Sequence, residues 1–168
     1  MSNESTSVDV NDFRRACGLW GTGVSIVTTC DAEGRPFGLT MNAVSSLSLA
    51  PPMLLVCVDR GSDTLAPMTQ SRVFCVNVLA REQEALSNRF AKKGQDKFSD
   101  VAFTPGSTGA PVLAGTLVSF ECAVQHIYEG GDHQIFCGEV RAVHADRSQD
   151  GQPLLYFGGK YAALAQGS

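Results

Sequence analysis

Apolar and polar residues alternate with a period of two along most of this chain, and only three short stretches follow helical spacing. VSIVTTC (24–30) and FGLTMNAV (37–44) are β-branched or alternating runs. They flank DAEGRP, whose Asp, Gly and Pro supply turn chemistry, which predicts an antiparallel hairpin with a six-residue connection. MLLVCVD (53–59) and RVFCVNVL (72–79) are continuous apolar runs of the kind that fully buried strands carry. LVSFECAVQHIY and HQIFCGEVRAVHA predict two long strands joined at EGGD, and PLLYF predicts a last strand before Gly158-Gly159. Helical spacing of Phe13, Cys17 and Trp20 predicts a first helix over FRRACGLW, with Asp12 as its N-cap. Ser62 or Asp63 is placed to cap a short helix over TLAPMTQ, and REQEALSNRFA (81–91) is the clearest helix, with Leu86 and Phe90 one turn apart. Residues 99–116, rich in Gly, Ser, Thr and Pro, read as a long loop.

Strands joined mostly by hairpins fit a mainly antiparallel closed sheet better than a βαβ sheet, because parallel pairs need crossovers of about a dozen residues or more. The expected fold class is mainly β: a Greek-key barrel with a few short flanking helices, a sandwich being the structural alternative. At 168 residues the chain fits one domain of the usual size of about 100 to 200 residues, assigned to 13–166, with 1–12 as a disordered N-terminal tail.

In GLTMNAVSSLSLAPP (38–52), continuous extension would put Thr40, Asn42, Val44, Ser46 and Ser48 on one face. Met41, Ala43, Leu47 and Leu49 would point into apolar packing. The polar face has two readings, a solvated sheet surface or a ligand shelf. Residue type favours the shelf, since no charge occurs from Gly38 to Met53 and small hydroxyl side chains let a flat ligand approach the backbone.

Composition narrows the partners. Charged residues are 18% of the chain and AVILMFWYC residues 43%, a balance that predicts an oligomer or ligand-covered surface. The net charge is −4 and the longest basic run is Lys92-Lys93, which argues against nucleic acid and anionic membranes as partners. The polar N-terminal stretch and the lack of an apolar run of about 18 residues predict a cytoplasmic protein without a membrane span. Six cysteines without a C-x-x-C pair read as small buried hydrophobes, not disulfides.

Candidate chemistry outside the shelf is sparse. Ser62 and Thr64 at a helix start, with Lys97, could meet an anion, although capping and a solvated lysine explain the same residues. His133 follows a Gly-Gly-Asp turn at a strand mouth, where an imidazole can bind an anion or pass a proton, and a surface histidine is the alternative. His126 and His144 read as packing or surface residues, and no metal is expected because convergent ligands with metal-site spacing are lacking. GTGVSI (21–26) lacks the third glycine of a dinucleotide fingerprint, and neither a Walker segment nor a G-x-S-x-G elbow occurs.

Taken in order, FRRACGLWGTGVSIVTT, GLTMNAVSSLSLAPPMLLVCVD, RVFCVNVL, RFAKKGQDKF, GAPVLAGTLVSFECAV, GGDHQIFCGEV and PLLYFGGKY resemble the flavin reductase-like family. Its members are short reductases that supply reduced flavin to two-component monooxygenases. The resemblance implies a split β-barrel of Greek-key topology, a homodimer, FMN or FAD near the dimer interface, and NADH or NADPH as electron donor, with NADH as the first choice. It implies flavin contacts at Thr40, Asn42, Ala43, Ser46 and Ser48, then at Cys57, Val58 and Asp59, with Ser62, Thr64, Ala91, Lys97 and Phe98 near the phosphate. His133 matches the family's GDH histidine, implicated in nicotinamide nucleotide binding, and Tyr156, Phe157 and Tyr161 are candidate stacking partners. Gly158 departs from the pattern, since many relatives carry a bulkier or basic residue there. Hydride transfer between cofactors needs no protein nucleophile, consistent with the missing acid–base pair. A non-catalytic electron-transfer module on the same barrel is the alternative, and oxidation of pyridoxine phosphate, known from related barrels, fits the GDH segment poorly.

Overall fold

The computed structural model describes residues 8–94, 96–145 and 151–165. Helix α1 (Val10–Gly18) is followed by strands β1 (Thr22–Gly23), β2 (Ser25–Cys30), β3 (Pro36–Met41), β4 (Val44–Leu49) and β5 (Pro52–Asp59). Next come α2 (Leu65–Ser71), β6 (Val73–Val78), a 3-10 turn over Arg81–Gln83 and α3 (Glu84–Phe90). The chain ends with β7 (Phe103–Pro105), β8 (Pro111–Leu113), β9 (Val118–Gly130), β10 (His133–Ala145), β11 (Leu155–Phe157) and β12 (Lys160–Ala162). Seven strands form one sheet in the order β3-β2-β6-β9-β10-β5-β4, with every neighbouring pair antiparallel. The expected mainly β class stands.

β3 and β4 lie at opposite edges of that sheet, yet only Asn42 and Ala43 separate them. Seven flat strands about 4.8 Å apart would hold the edges about 29 Å from each other. A two-residue link reaches about 11 Å between flanking Cα atoms. The sheet is therefore strongly curled, and its two edges approach at the Met41–Val44 corner.

The curl accounts for the continuous apolar runs. Val27 of β2 packs inside with Val56, Val58, Phe74, Val76 and Phe136, whereas its neighbour Ile26 packs outside with Leu79, Phe90, Leu113 and Leu154. β2 and β6 are thus covered on both faces. Asn77 of β6 is fully buried, and its amide bonds three other strands, β2, β8 and β9, at once. Its Nδ2 donates to Ile26 O (3.1 Å) and Thr28 Oγ1 (3.1 Å), while Oδ1 accepts from Leu113 N (2.9 Å) and Ser119 Oγ (2.8 Å). Gly138 of β10 leaves room for Phe74, whose ring would lie 2.5 Å from an added Cβ.

Several boundaries differ from the sequence expectation. Asp9, not Asp12, caps α1: its backbone is extended and its carboxylate accepts from Asn11 N (2.9 Å) and Asp12 N (3.0 Å). Residues 10–12 are therefore helical and do not belong to a tail, while residues 1–7 of that expected tail lie outside the described residues. α2 begins at Leu65 with Thr64 at the cap position and no side-chain cap, so neither Ser62 nor Asp63 caps it. The hairpin connection is five residues long, because Pro36 already pairs with Cys30; Asp31 Oδ1 closes it by accepting from Glu33 N and Arg35 N. FGLTMNAV is two strands with a break at Asn42–Ala43, and residues 99–116 contain the β7–β8 hairpin. All six cysteines are free; Cys75, Cys122 and Cys137 are buried as expected, whereas Cys17 is exposed.

Glu121 of β9 is fully buried and ties the 107–108 loop to the sheet. Its Oε2 accepts from Ser107 Oγ (3.0 Å), Thr108 N (2.7 Å) and Thr108 Oγ1 (2.9 Å), and His144 Nε2 lies 2.6 Å from Oε1. Burial alone would raise this carboxyl, but the bonds from His144, Thr108 and Ser107 outweigh it and bring it down to about 2 from an ordinary 4.5. Since the folded value lies below the unfolded one, the stability contributed by Glu121 is complete above about pH 4.5 and is lost as pH falls toward 2. Glu121→Gln is expected to cost about 2 to 3 kcal/mol at neutral pH. Urea unfolding at stepped pH should show a flatter acid limb for the variant than for the wild type.

Candidate active site

Three concavities follow the β3 backbone into the Asn42–Ala43 corner. The largest, about 500 Å³, is walled on one side by Cys17 of α1, Trp20 and Thr22 of β1. Asn42, Ala43, Val44 and Ser45 form the other wall, with Leu55 and Cys57 of β5 as its floor. No lining residue is charged. Thr22 Oγ1 is itself buried and has no hydrogen-bond partner.

The second concavity, about 200 Å³, shares Asn42 and is lined by Val24, Thr40, Met41, Ser87, Ala91, Tyr156 and Tyr161. Its polar groups are already organised. Thr40 Oγ1 donates to Ser87 O (2.6 Å), Ser87 Oγ pairs with Tyr161 OH (2.8 Å), and Tyr161 OH donates to Asn88 Oδ1 (3.1 Å). Tyr156 and Tyr161 meet edge to face with ring centroids 5.6 Å apart.

The third, about 130 Å³, lies between Phe37-Gly38 and Asp96-Lys97-Phe98. Lys97 is only 6% exposed, contrary to the solvated-surface alternative. Its ammonium donates to Gly38 O (3.0 Å) and Asp63 Oδ1 (3.3 Å). Burial raises the Asp63 carboxyl, but the charge and hydrogen bond of Lys97 prevail and hold it below the usual carboxylate range. Phe98 is engaged in an aromatic ladder, edge to face with Phe90 (4.9 Å) and Phe103 (5.3 Å).

The structure thus brings Thr40, Asn42, Ala91, Tyr156 and Tyr161 together around one cavity and Asn42, Ala43 and Cys57 around the next, with Lys97 and Phe98 at the third. The continuous even-numbered face does not exist. Val44 packs on the core while Leu47 and Leu49 are exposed, because the strand breaks at Asn42–Ala43 and β4 is irregular between Ser46 and Ser48. Ser46 and Ser48 lie beyond the cavity, Ser48 Oγ accepting from Ala50 N (3.3 Å). Val58 is fully buried in the core. Asp59 Oδ1 accepts from Gly61 N (2.6 Å), Ser62 Oγ accepts from Thr64 N (3.2 Å), and Thr64 is buried. His133 pairs in register with Asp59 across β10 and β5, its Nδ1 lying 2.7 Å from Asp132 Oδ1; Phe157 is half exposed near Gly21. Of the other histidines, His126 stacks on Tyr128 and His144 holds Glu121. Among the described residues no three His, Cys, Asp or Glu side chains gather as metal ligands.

A neutral cavity bordered by backbone and a small polar shelf suits a planar heteroaromatic ring. Residues 17–165 match the model of the flavin reductase like domain. The chain belongs to the flavin reductase-like family. It is 36% identical over 158 residues to the reductase subunit HsaB of a flavin-dependent monooxygenase from Rhodococcus jostii RHA1, covering 94% of this chain and 80% of that one. It is 41% identical over 157 residues to a flavin reductase (NADH) from Kitasatospora aureofaciens, covering 92% and 82%. A homolog of nitrilotriacetate monooxygenase component B from Mycobacterium thermoresistibile superposes with a TM-score of 0.88 at 34% identity over 92% of this chain and 86% of that one.

In this flavin reductase-like chain the wall contributed by Cys17, Trp20 and Thr22 was not anticipated from sequence. The pairing Thr22↔Tyr156 and Gly23↔Leu155 places it, and a two-residue strand carries no periodic signal. Replacing Ala43 with Trp fills the large cavity, whereas Ser46→Trp adds bulk outside it. Titration of flavin fluorescence is expected to show FMN binding weakened at least about tenfold by Ala43→Trp and changed less than about twofold by Ser46→Trp, the difference that loss of a ring-sized pocket makes.

Proposed function

We propose that this chain is an NAD(P)H-dependent flavin reductase that uses NADH with FMN or FAD and delivers reduced flavin to a monooxygenase partner. The observation that carries this reading is the uncharged cavity of about 500 Å³ at the Asn42–Ala43 corner. It is supported by the 36% identity to a monooxygenase reductase subunit. The proposed framework is a Greek-key split barrel, to which the curl of the seven-stranded sheet is suited. A homodimer accords with Leu47 and Leu49 on the β4 edge, the latter 93% exposed, and with the low share of charged residues.

When bound, a flavin accepts a hydride from the nicotinamide of the electron donor. The work left to this chain is to bind, orient and exclude water. Asn42, Ala43 and Cys57 present a neutral surface to the ring, and the amides of Asn42 and Ala43, which lie between β3 and β4, are available to its polar edge. Thr40 fixes β3 to α3 through Ser87 O, which keeps that surface in place. Ser46, Ser48, Val58 and Asp59 then serve as flanking backbone and rim. The phosphate end falls to Ser62, Thr64, Ala91, Lys97 and Phe98. There Lys97 also holds Asp63, so its charge reaches a phosphate only in competition with that carboxylate.

His133 stands at the rim with Asp132 against Nδ1, a contact that orients the ring toward the strand mouth. It is assigned to the nicotinamide nucleotide together with Tyr156, Phe157 and Tyr161. The decisive experiment follows nicotinamide absorbance with purified protein, FMN or FAD, and NADH or NADPH. Flavin-dependent oxidation is expected, faster with NADH, and no oxidation with any pair would refute the reading. His133→Ala is expected to raise KM for NADH about tenfold with KM for flavin changed less than about twofold, as loss of one hydrogen-bonded contact to a charged group predicts. Equal changes in both constants would remove His133 from the nucleotide site.

A further inference from the structure

The turn that carries His133 stands at the end of a projecting hairpin. β6 pairs with β9 from Val118 to Ala123, and Arg72 adds bonds to Val124 and Gln125. From His126 to Gly130, β9 has β10 as its only ladder partner among the described residues. The turn itself is Gly131-Asp132, closed by the Gly130↔His133 pair, with Gly131 at a φ of 71°. Glycine leaves the backbone more freedom than any other residue, so a histidine at the end of this turn keeps one direction only if the turn is restrained.

Arg60, the first residue after β5, supplies the restraint. Its N donates to Asp132 O (3.0 Å), which carries the β5–β10 ladder one residue past the His133↔Asp59 pair. Its side chain then crosses the turn: Nε donates to Gly131 O (3.1 Å), and the guanidinium pairs with the Glu129 carboxylate on β9. The planar fork of an arginine holds two acceptors in a fixed relation. The segment that bears Arg60 is tethered from its other side, since Lys93 Nζ donates to Gly61 O (3.0 Å) and stands 4.0 Å from Asp59 Oδ1. One side chain therefore links β5, the turn and β9 beside a histidine whose Nδ1 lies 2.7 Å from Asp132 Oδ1.

We infer that Arg60 is a positioning residue for the nicotinamide nucleotide: by clamping the Gly131-Asp132 turn it sets the imidazole of His133, and it acts on the nucleotide through that ring. This rests on the assignment of His133 to the nucleotide. A free turn spreads the imidazole over several directions, and binding then costs the entropy of gathering them into one. Direct recruitment of a phosphate is the competing role for an arginine at a rim. Both acceptors of the Arg60 side chain belong to the hairpin, and Glu129 already matches its charge. The bond from Arg60 N does not depend on the side chain, so substitution loosens the turn and leaves the β5–β10 pairing in place.

Steady-state kinetics with NADH and FMN are compared for the wild type, Arg60→Met, Arg60→Lys, His133→Ala and the two double variants, with FMN affinity measured by equilibrium dialysis. Arg60→Met is expected to raise KM for NADH about fourfold, the scale of one exposed ion pair with its hydrogen bond, and to change FMN affinity less than about twofold. In the His133→Ala background the same substitution changes KM for NADH less than about 1.5-fold, because a residue that acts through another has no effect once the other is gone. Arg60→Lys keeps the charge and loses the fork, so its KM for NADH stays within about twofold of that of Arg60→Met. Arg60→Lys carries the same comparison should Arg60→Met not fold.

The inference is overturned if either Arg60 substitution raises KM for NADH by the same factor with and without His133, if Arg60→Lys restores the wild-type constant, or if neither substitution moves it. Each of those results leaves His133 at the nucleotide site. If His133→Ala itself leaves KM for NADH unchanged, the assignment of His133 falls and this inference with it, while flavin-dependent oxidation of NADH by the wild type still upholds the reductase reading.

Discussion

The two-residue link between β3 and β4 is the constraint from which the rest of the architecture follows. It joins opposite edges of a seven-stranded sheet, so the sheet has to curl until Met41 and Val44 are neighbours. Curling encloses one apolar cluster, around Phe74 and Phe136, and leaves the outer face of β2 and β6 to be covered by α3, β8 and the 153–161 segment. It also creates a corner where Asn42 and Ala43 lie outside both strands, their carbonyls accepting from Val44 N (2.9 Å) and Cys57 N (3.1 Å) while their amides point away from the ladder. Amides free of a ladder partner are what a ligand needs, and an uncharged cavity of about 500 Å³ opens at that corner.

Charge is arranged around the corner and kept out of it. Lys97 is folded onto Gly38 O and Asp63, and His133 sits beside Asp132 and opposite Asp59. Arg60 is paired with Glu129 and donates to Gly131 O, at the same mouth as His133. A neutral ring would thus meet neutral walls, while the charged parts of nucleotides would meet the rim. That division explains why the chain shows no paired acid and base at helical or strand spacing. In the proposed reaction the electrons move between two heterocycles, and the protein contributes position and a polar environment.

Much of this was legible in the sequence wherever periodicity spans enough residues. The long β9–β10 hairpin and the buried runs of β5 and β6 fall where alternation and apolar continuity place them. The failures have local physical causes. Thr40 to Ser48 alternate cleanly, but alternation cannot report that two unpaired residues separate different sheet edges. Hence Val44 turned inward and Leu49 outward. β1, β7, β8 and β12, at three residues or fewer, are too short for a period and exist through their partners. Asp9 outcompeted Asp12 as cap because its extended backbone aims the carboxylate at the amides that follow, a matter of dihedral angle and not of residue type.

The candidate site shows the same limit in another form. Residues of one segment, Thr40 to Ala43, could be assigned to a shelf from composition, because absence of charge is a local property. Trp20 and Thr22 could not, since their relation to the shelf is created by pairing with a strand more than a hundred residues later. The family match begins at Cys17, so nearly all of α1 lies outside it, while the residues that wall the cavity lie within. α1 buries no residue of its own, so its place is fixed from its end: Gly158 N donates to Gly18 O and Thr22 pairs with Tyr156, which ties the last turn to β11 and so to the cavity lining.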